Sequence, residues 1–130
     1  MIEFFIPIIP PTTTAQMHKV AVRNGKPRFY DPPEVKEMKA TLLAHLAPYA
    51  PAEPMAGPVA LTVKWIWPGG DTAAWKTTKP DTDNLQKALK DCMTKLGFWD
   101  DDAQVASEIT QKFTHTQTGI YIHIATIGEP

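Results

Sequence analysis

The sequence has few of the residues that build disulfides, thiolate metal sites and membrane spans. Among 130 residues there is one cysteine, which excludes an intrachain disulfide and a zinc site with several cysteine ligands. No apolar run approaches the roughly 18 residues of a membrane helix, and the first residues lack the basic stretch and cleavage pattern of a signal peptide. The chain also lacks a phosphate-cradling glycine loop and any metal-ligand spacing among its four histidines. From these absences we expect a cytoplasmic protein without membrane contact or organic cofactor.

The composition is that of a globular protein with a single domain, residues 1–130, because 43% of the residues are hydrophobic and 21% are charged. The net charge of −1 does not by itself suggest a nucleic-acid partner. Residues 12–80, however, carry nine Lys or Arg against five Asp or Glu, whereas residues 81–130 carry four against eight. This asymmetry indicates a basic surface beside an acidic site, although scattered solvated charge explains it equally well.

The hydrophobic pattern predicts strands and helices in mixed order. Helical spacing is found from Pro33 to near Pro48 and over 84–96, where Gly97 supplies the C-terminal cap. The predicted strands are 2–9, 59–67, 104–113 and 119–127; Pro7 makes the first an edge strand, and a turn at Thr116–Gly119 joins the last two as a hairpin. With a further hairpin at 18–30, the order β, ββ, α, β, α, ββ predicts an α+β fold, in which two helices pack on a mixed or antiparallel sheet.

The hairpin at 18–30 is predicted from Asn24-Gly25, which separates two short strand-like runs. Asn-Gly is typical of two-residue hairpin turns because both residues tolerate a positive φ. This hairpin and the polar loop 69–80 carry five basic residues that we group as the basic set: Arg23, Lys26, Arg28, Lys76 and Lys79.

The sharpest local feature is Pro80-Asp81-Thr82-Asp83, at the start of the second predicted helix. Asp83 has the chemistry of an N-cap, with Gln86 three residues on as its capping-box partner. One cap is sufficient for one helix, so two acids at i and i+2 need a second explanation. In extended chain both carboxylates point to one side and repel each other unless a cation lies between them, and magnesium sites are built from such hard oxygen ligands.

Lys87 follows Asp83 by four residues and therefore lies one turn further along the same helical face. Two roles are open for it. One is a surface ion pair with Asp83, worth about 0.2–0.5 kcal/mol. The other is a cation that stabilises charge on a phosphate beside a metal ion.

A second acidic run, Asp100-Asp101-Asp102, follows the same helix. A solvated turn is one explanation, and a cation site shared with Asp81 and Asp83 is the other. The helix is roughly 20 Å long, and the extended residues after it reach at most about 16–18 Å. The run therefore approaches the helix start only if the chain doubles straight back, which favours Asp102 over Asp100.

Cys92 lies on the apolar stripe of the second helix, so a core position is favoured over a nucleophile. Trp65 and Trp67 share one face of a strand, and Trp99 follows a helix, which favours a core or an interface over base stacking. These tryptophans and the apolar first strand are the expected material of a dimer interface.

Three segments complete the acidic pattern: Asp81-Thr82-Asp83-Asn84-Leu85-Gln86-Lys87, Thr94-Lys95-Leu96-Gly97-Phe98-Trp99 and Asp101-Asp102-Ala103-Gln104-Val105. In their order and separation they resemble the RusA family of Holliday junction resolvases, which includes phage-encoded members. A combined pattern over residues 81–105 is far more specific than a pair of acids.

The resemblance implies a metal-dependent endodeoxyribonuclease that resolves four-way DNA junctions by paired nicks, in recombination and repair. It also implies a homodimer that uses Mg²⁺, with Mn²⁺ as a substitute. The family's three catalytic, metal-binding aspartates fall on Asp81, Asp83 and Asp102, and its required lysine falls on Lys87. An acidic site needs basic surroundings to recruit DNA, and the basic set supplies the candidates for contacts to the phosphate backbone.

Two other functions are consistent with the same residues. One is a non-catalytic module that binds DNA structures and holds structural ions, which metal-dependent nicking would exclude. The other is a nuclease of broader specificity that cuts flaps or replication forks, which a comparison of branched and plain duplex substrates would identify.

Overall fold

The computed structural model describes residues 1–12, 19–23, 25–30 and 32–128, with the backbone alone for 19–23 and 26–30. The helices in these residues are α1 (Pro33–Leu46) and α2 (Thr82–Lys95), with short 3₁₀ helices at Ala47–Tyr49 and Asp102–Gln104. The strands are β1 (Ile2–Ile6), β2 (Lys19–Arg23), β3 (Lys26–Tyr30), β4 (Val59–Pro68), β5 (Ala74–Trp75), β6 (Val105–His115) and β7 (Gly119–Thr126). Across the described ranges, no helix has both the length and the apolar character needed to cross a membrane.

Strand β4 is the centre of a five-stranded sheet with the order β1-β7-β4-β6-β5. It runs parallel to β6 and antiparallel to β7, so the sheet is mixed. Strand β1 lies at one edge of the sheet, as predicted, but it ends at Ile6, before Pro7, rather than at residue 9. The predicted α+β fold, with two helices and a mixed sheet, is confirmed.

The predicted hairpin between the last two strands is wrong. Strands β6 and β7 are antiparallel but lie on either side of β4, which pairs with both. Residues 116–118 thus cross about 10 Å, twice the spacing of neighbouring strands. Strand β4 takes the place between them because its alternate side chains are fully buried, and a buried strand needs hydrogen-bond partners along both edges.

The predicted hairpin around Gly25 is confirmed, since β2 and β3 pair with Arg23 opposite Lys26 and Gly25 has a φ of +73°. The side chains of Arg23, Lys26 and Arg28 lie outside the described residues. The loop after β4 contains a short strand, β5, that its polar sequence did not predict. Strand β5 pairs with β6, and the ring of Trp75 stacks on Phe113 at a centroid distance of 4.6 Å.

The core lies between one face of the large sheet and the two helices. It contains Trp65, Trp67 and Trp99 as well as Phe4 and Ile6 of the first strand, all buried within one chain. The expectation that these side chains would be left for a dimer interface is therefore wrong. The pleat of β1 and β4 turns Phe4, Ile6, Trp65 and Trp67 toward the helices, and Trp99 packs on the same core from the turn after α2.

Helix α2 begins earlier than predicted, and its N-cap is Asp81 rather than Asp83. The backbone N–H of Leu85 donates to the carbonyl of Asp81 at 3.1 Å, but no side-chain capping bond is made. The predicted capping box of Asp83 and Gln86 is wrong, because Gln86 is buried and its amide group bonds to other elements.

The C-terminal end of α2 is as predicted. Gly97 has a φ of +78°, and its N–H donates to the carbonyl of Thr94 at 3.1 Å. The N–H of Phe98 donates to the carbonyl of Met93, also at 3.1 Å, which completes a Schellman motif. The chain therefore turns back sharply after α2, and the buried ring of Phe98 secures the turn.

Candidate active site

An open cleft of about 530 Å³ lies between the first half of α2, the turn at Asp102 and strand β6. Asp83 and Asp102 both line it, so the two acidic segments meet, as the doubling-back of the chain requires. Lys87 lines the same cleft. The structure thus brings together three of the four residues predicted for the active site.

The fourth predicted residue, Asp81, is exposed at the N-cap of α2 and is not part of the cleft wall. Its backbone is extended, with φ −76° and ψ 151°, and it lies two residues before Asp83. Within the described ranges, no three His, Cys, Asp or Glu side chains are grouped closely enough to hold a metal ion. Asp83 and Asp102 therefore share the cleft wall, but they do not form a closed ligand set with Asp81.

Asp101 and Asp102 of the second acidic run have different hydrogen-bonding environments. The side chain of Asp101 accepts from the N–H of Ala103 at 2.9 Å and forms a capping box with Gln104. Gln104 in turn donates to the carbonyl of Met55 at 2.8 Å, which ties the turn to the linker before β4. Asp102 is half-buried, and the part of the chain that the structure describes offers its carboxylate no hydrogen-bond partner, whereas Asp101 is committed to the turn.

Lys87 does not pair with Asp83, as one of its two predicted roles required. Its ammonium group lies 3.7 Å from Asp91, one turn further along the helix, and 67% of its side chain is exposed. A long contact of this kind at the surface contributes little to stability. Lys87 is therefore an extended cation at the cleft rather than a fixed structural partner of the acids.

A chain of hydrogen bonds behind the cleft was missed by sequence reasoning. The indole N–H of Trp65 donates to Oε1 of Gln86 at 2.9 Å, and Nε2 of Gln86 donates to Oε1 of Glu108 at 2.8 Å. The ammonium group of Lys90 lies 2.9 Å from Oε2 of Glu108. Gln86 could have been suspected from its place three and seven residues before Leu89 and Met93, on the buried face of α2; nothing in the sequence singles out Glu108.

Lys112 of β6 anchors the segment that leads into Asp81, and this residue was also missed. Its ammonium group donates to the carbonyl of Thr78 at 2.7 Å and to the carbonyl of Pro80 at 2.6 Å. Hydrogen bonds from a charged donor are about twice as strong as neutral ones. The start of α2 is thus fixed to the sheet immediately before the first acid.

Of the basic set, Lys76 and Lys79 have described side chains. Lys76 is half-buried; its ammonium group donates to Oγ1 of Thr78 at 2.7 Å and lies 5.1 Å from the centroid of the Trp67 ring. Lys79 is exposed. Lys79 is therefore the more open of the two for a contact with a phosphate.

Cys92 is buried in the core, as the sequence predicted. Burial raises the pKa of its thiol to about 11, because removal from water disfavours the charged thiolate. A thiol with so high a pKa is a poor nucleophile, which agrees with a purely packing role.

Comparison with known proteins identifies the class. The model of the family described as "Endodeoxyribonuclease RusA" matches residues 9–125. The chain is 31% identical to the crossover junction endodeoxyribonuclease rusA of Lactococcus phage r1t, over 96% of this chain and 98% of the phage protein. It is 27% identical to the uncharacterized protein YqaN of Bacillus subtilis (strain 168), over 83% and 85% of the two chains. A shorter stretch of 39 residues is 54% identical to the crossover junction endodeoxyribonuclease RusA of Escherichia coli (strain K12), covering 30% and 32%.

The class is that of enzymes which hydrolyse DNA within a strand. The chain belongs to the RusA family of endodeoxyribonucleases, whose members are crossover junction, or Holliday junction, nucleases. Nucleases of this type depend on metal ions, and their substrates are branched DNA. The resemblance seen in residues 81–105 is therefore confirmed at the level of the family.

Proposed function

We propose that this protein is a Mg²⁺-dependent homodimer that resolves four-way DNA junctions by paired nicks. The observation that carries the proposal is the cleft in which Asp83, Asp102 and Lys87 meet, in a chain whose family cleaves crossover junctions. The two acids come from segments separated in sequence by the whole of α2. A cleft that gathers them supports a shared chemical role.

Asp81, Asp83 and Asp102 would hold the metal ion. They offer carboxylate oxygens, the donors that Mg²⁺ takes in proteins while keeping waters for the substrate, and Mn²⁺ accepts the same ligands. Asp81 and Asp83 are exposed and Asp102 is half-buried, and no residue in the described ranges hydrogen-bonds their carboxylates. A bound Mg²⁺ supplies a polarised phosphoryl oxygen and an activated water.

Basic side chains of the protein stabilise the scissile phosphate and position the DNA. Lys87 neutralises charge that develops on the scissile phosphate, for which its extended position at the cleft is suited. The basic set of Arg23, Lys26, Arg28, Lys76 and Lys79 contacts flanking phosphates and positions the duplex arms. The products carry 5′-phosphates. This division of labour separates positioning of the DNA from hydrolysis.

The dimer is supported by the sheet face that points away from the core. Phe5, Ile109 and Trp75 are 40%, 51% and 66% exposed. The strand registers place all three on this one face, and its described non-glycine residues on β1, β4, β6 and β7 are half-buried or exposed. The five strands are about 4.8 Å apart and the central strand is roughly 33 Å long, so this face of the sheet has an area of about 600 Å². This area approaches the about 800 Å² that each partner buries in a standard interface. A dimer also has two active sites related by a two-fold axis, which suits a junction that needs two cuts.

A junction-cleavage assay with Mg²⁺ and with EDTA tests the activity. We expect paired nicks at a mobile four-way junction with Mg²⁺ and none with EDTA. Binding without cleavage under both conditions would identify a DNA-structure binding module instead. Equal cleavage of junction, flap and fork would identify a nuclease of broader specificity.

Sedimentation equilibrium tests the dimer. We expect twice the mass of one chain for the wild type and the mass of one chain for Ile109→Asp, since burial of an unpaired charge at an interface is costly. The control is Lys36→Asp, on the exposed surface of α1. Thr62→Asp would not serve, because Thr62 lies opposite Ile109 on the same face of the sheet. A monomeric wild type that still makes paired nicks would contradict the dimer and leave the nuclease activity standing.

A further inference from the structure

We propose that Gln86 is a positioning residue of the cleft: it fixes Glu108, and through Glu108 it fixes Lys90 as a second phosphate-binding cation. This inference rests on the proposed function and adds to it three residues outside the predicted acidic site. Gln86, Lys90 and Glu108 all line the cleft that contains Asp83, Lys87 and Asp102.

The orientation of the Gln86 amide group is determined by its partners. The indole of Trp65 has only a donor, so it must face the amide oxygen, at 2.9 Å. An ionised Glu108 has only acceptors, so it must face the amide NH₂, at 2.8 Å. Gln86 is 3% exposed and Trp65 is fully buried, so water does not compete for the bond between them. The amide therefore transmits the fixed position of a core indole to a carboxylate at the cleft.

Glu108 is a carboxylate of the cleft whose two oxygens are already engaged. One accepts from Gln86 at 2.8 Å and the other from Lys90 at 2.9 Å. Asp83 and Asp102 have no comparable partners in the described part of the chain. This contrast makes Glu108 a holder of Lys90 rather than a further ligand for the metal ion.

Lys90 is the more buried and the more closely paired of the two lysines at the cleft. Its side chain is 22% exposed and paired at 2.9 Å, whereas the Lys87 side chain is 67% exposed and paired at 3.7 Å. An ammonium group has three donors, and the pair with Glu108 uses one of them. The other N–H donors remain for a phosphate oxygen of the DNA backbone, and the pair with Glu108 fixes the position of the ammonium group before DNA binds.

The binding arm of the test measures affinity for a four-way junction against salt, in EDTA. We expect Lys90→Met to weaken binding and to lower the slope of log K against log salt by about 0.9, the value for one lost phosphate contact. Lys36→Met, which removes an exposed lysine of α1, should leave the slope unchanged. A wild-type slope for Lys90→Met would overturn the inference, and this arm needs no cleavage, so it remains decisive even if the wild type does not nick.

The cleavage experiment exchanges the amide donor and the carboxylate acceptor between positions 86 and 108. Gln86→Glu keeps an acceptor for Trp65 but sets two carboxylates against each other, and we expect a loss of about 10- to 100-fold in kcat/KM, as for a lost hydrogen bond to a charged group. In the double variant Gln86→Glu with Glu108→Gln, the carboxylate again accepts from the indole and from the new amide NH₂, whose oxygen accepts from Lys90. We expect the double variant to nick faster than either single variant, because it alone restores both the bond between positions 86 and 108 and the acceptor for Lys90; a double-mutant cycle measures this coupling.

A purely structural role for Gln86 predicts a different pattern. In that case Gln86→Glu would lower the melting temperature while the folded fraction nicked normally, and the second substitution would not restore kcat/KM. Either result would overturn the positioning role. If Gln86→Glu fails to fold, Glu108→Gln and Lys90→Met, both at solvent-accessible positions, decide the matter through the salt slope.

Discussion

The two acidic segments of this protein, residues 81–83 and 100–102, have similar sequences and opposite local roles. In the second, Asp101 caps its own turn and forms a capping box with Gln104. In the first, Asp81 occupies an N-cap position and makes no capping bond. An Asp side chain that caps a helix contributes about 1 kcal/mol to stability, and Asp81 does not make this contribution. In the proposed function, Asp81, Asp83 and Asp102, whose carboxylates have no partner in the described residues, hold the metal ion, whereas the satisfied carboxylate of Asp101 stabilises its turn.

The strongest test of this comparison changes one acid at a time to its amide. Asp83→Asn and Asp102→Asn should each lower junction nicking by more than about 100-fold, the upper effect of losing an outer partner of a metal ligand, with Asp81→Asn doing the same. Junction binding should persist or tighten, because repulsion of the phosphates falls. Gel-shift and nicking assays measure both quantities.

Asp101→Asn is the matched control, since Asn caps about as well as Asp. It should nick at nearly the wild-type rate. If Asp101→Asn were as inactive as Asp102→Asn, the division of labour within the second segment would be wrong. Near-normal nicking by Asp81→Asn would remove that residue alone from the metal site.

The second test concerns the cation beside the first segment. Lys87→Ala should lower nicking by about 10- to 100-fold, the effect of one lost hydrogen bond to a charged group in free-energy terms. Lys95→Ala, on the last turn of the same helix and outside the cleft wall, should have little effect. Equal losses in the two variants, measured as single-turnover rates, would mean that the lysines act as a general phosphate field.

The third test loosens the anchor of the first segment. Lys112→Met removes two charge-assisted bonds to the carbonyls of Thr78 and Pro80. We expect a loss of about 2 kcal/mol in the free energy of unfolding, the scale for hydrogen bonds to charged groups. Urea denaturation measures this loss. A loss no larger than that of Lys36→Met would show that the loop before Asp81 is held by other contacts.

The smallest effect is expected at the anchor of the second segment. Asp101→Ala should lower the free energy of unfolding by about 1 kcal/mol, the usual cost of removing an N-cap side chain. Asp100→Ala is the control because Asp100 is exposed and contributes only its backbone N–H to Gln104. Equal unfolding free energies for the two variants would contradict the structural role of Asp101.

Features that depend on neighbouring residues were predictable from the sequence. The turn at Gly25 and the end of α2 at Gly97 both require a positive φ, which glycine adopts without strain. The meeting of Asp83 and Asp102 followed from helix length and chain reach once that sharp turn was expected.

Features that depend on distant residues were not predictable. The pairing of β4 between β6 and β7 is decided by the burial of β4, and the short link at 116–118 gives no sign of it. The capping box was assigned to Asp83 and Gln86 and is found at Asp101 and Gln104. Gln86 satisfies every local rule for a capping partner, but Trp65 and Glu108 compete for its amide group from other strands.

The pairing of β1 with β7 has a consequence for the order in which this enzyme folds. Ile2 lies opposite Ile124, so β1 pairs, among the strands that the structure describes, with one that is more than 110 residues further along the chain. Contacts between such distant residues slow folding, because the chain closes a long loop before any stabilising contact forms. During synthesis, we therefore expect β1 to lack its neighbouring strand until β7 has left the ribosome. The acids at the cleft are made well before that moment, and we expect the fold that presents them to DNA to close only when the last strand is inserted.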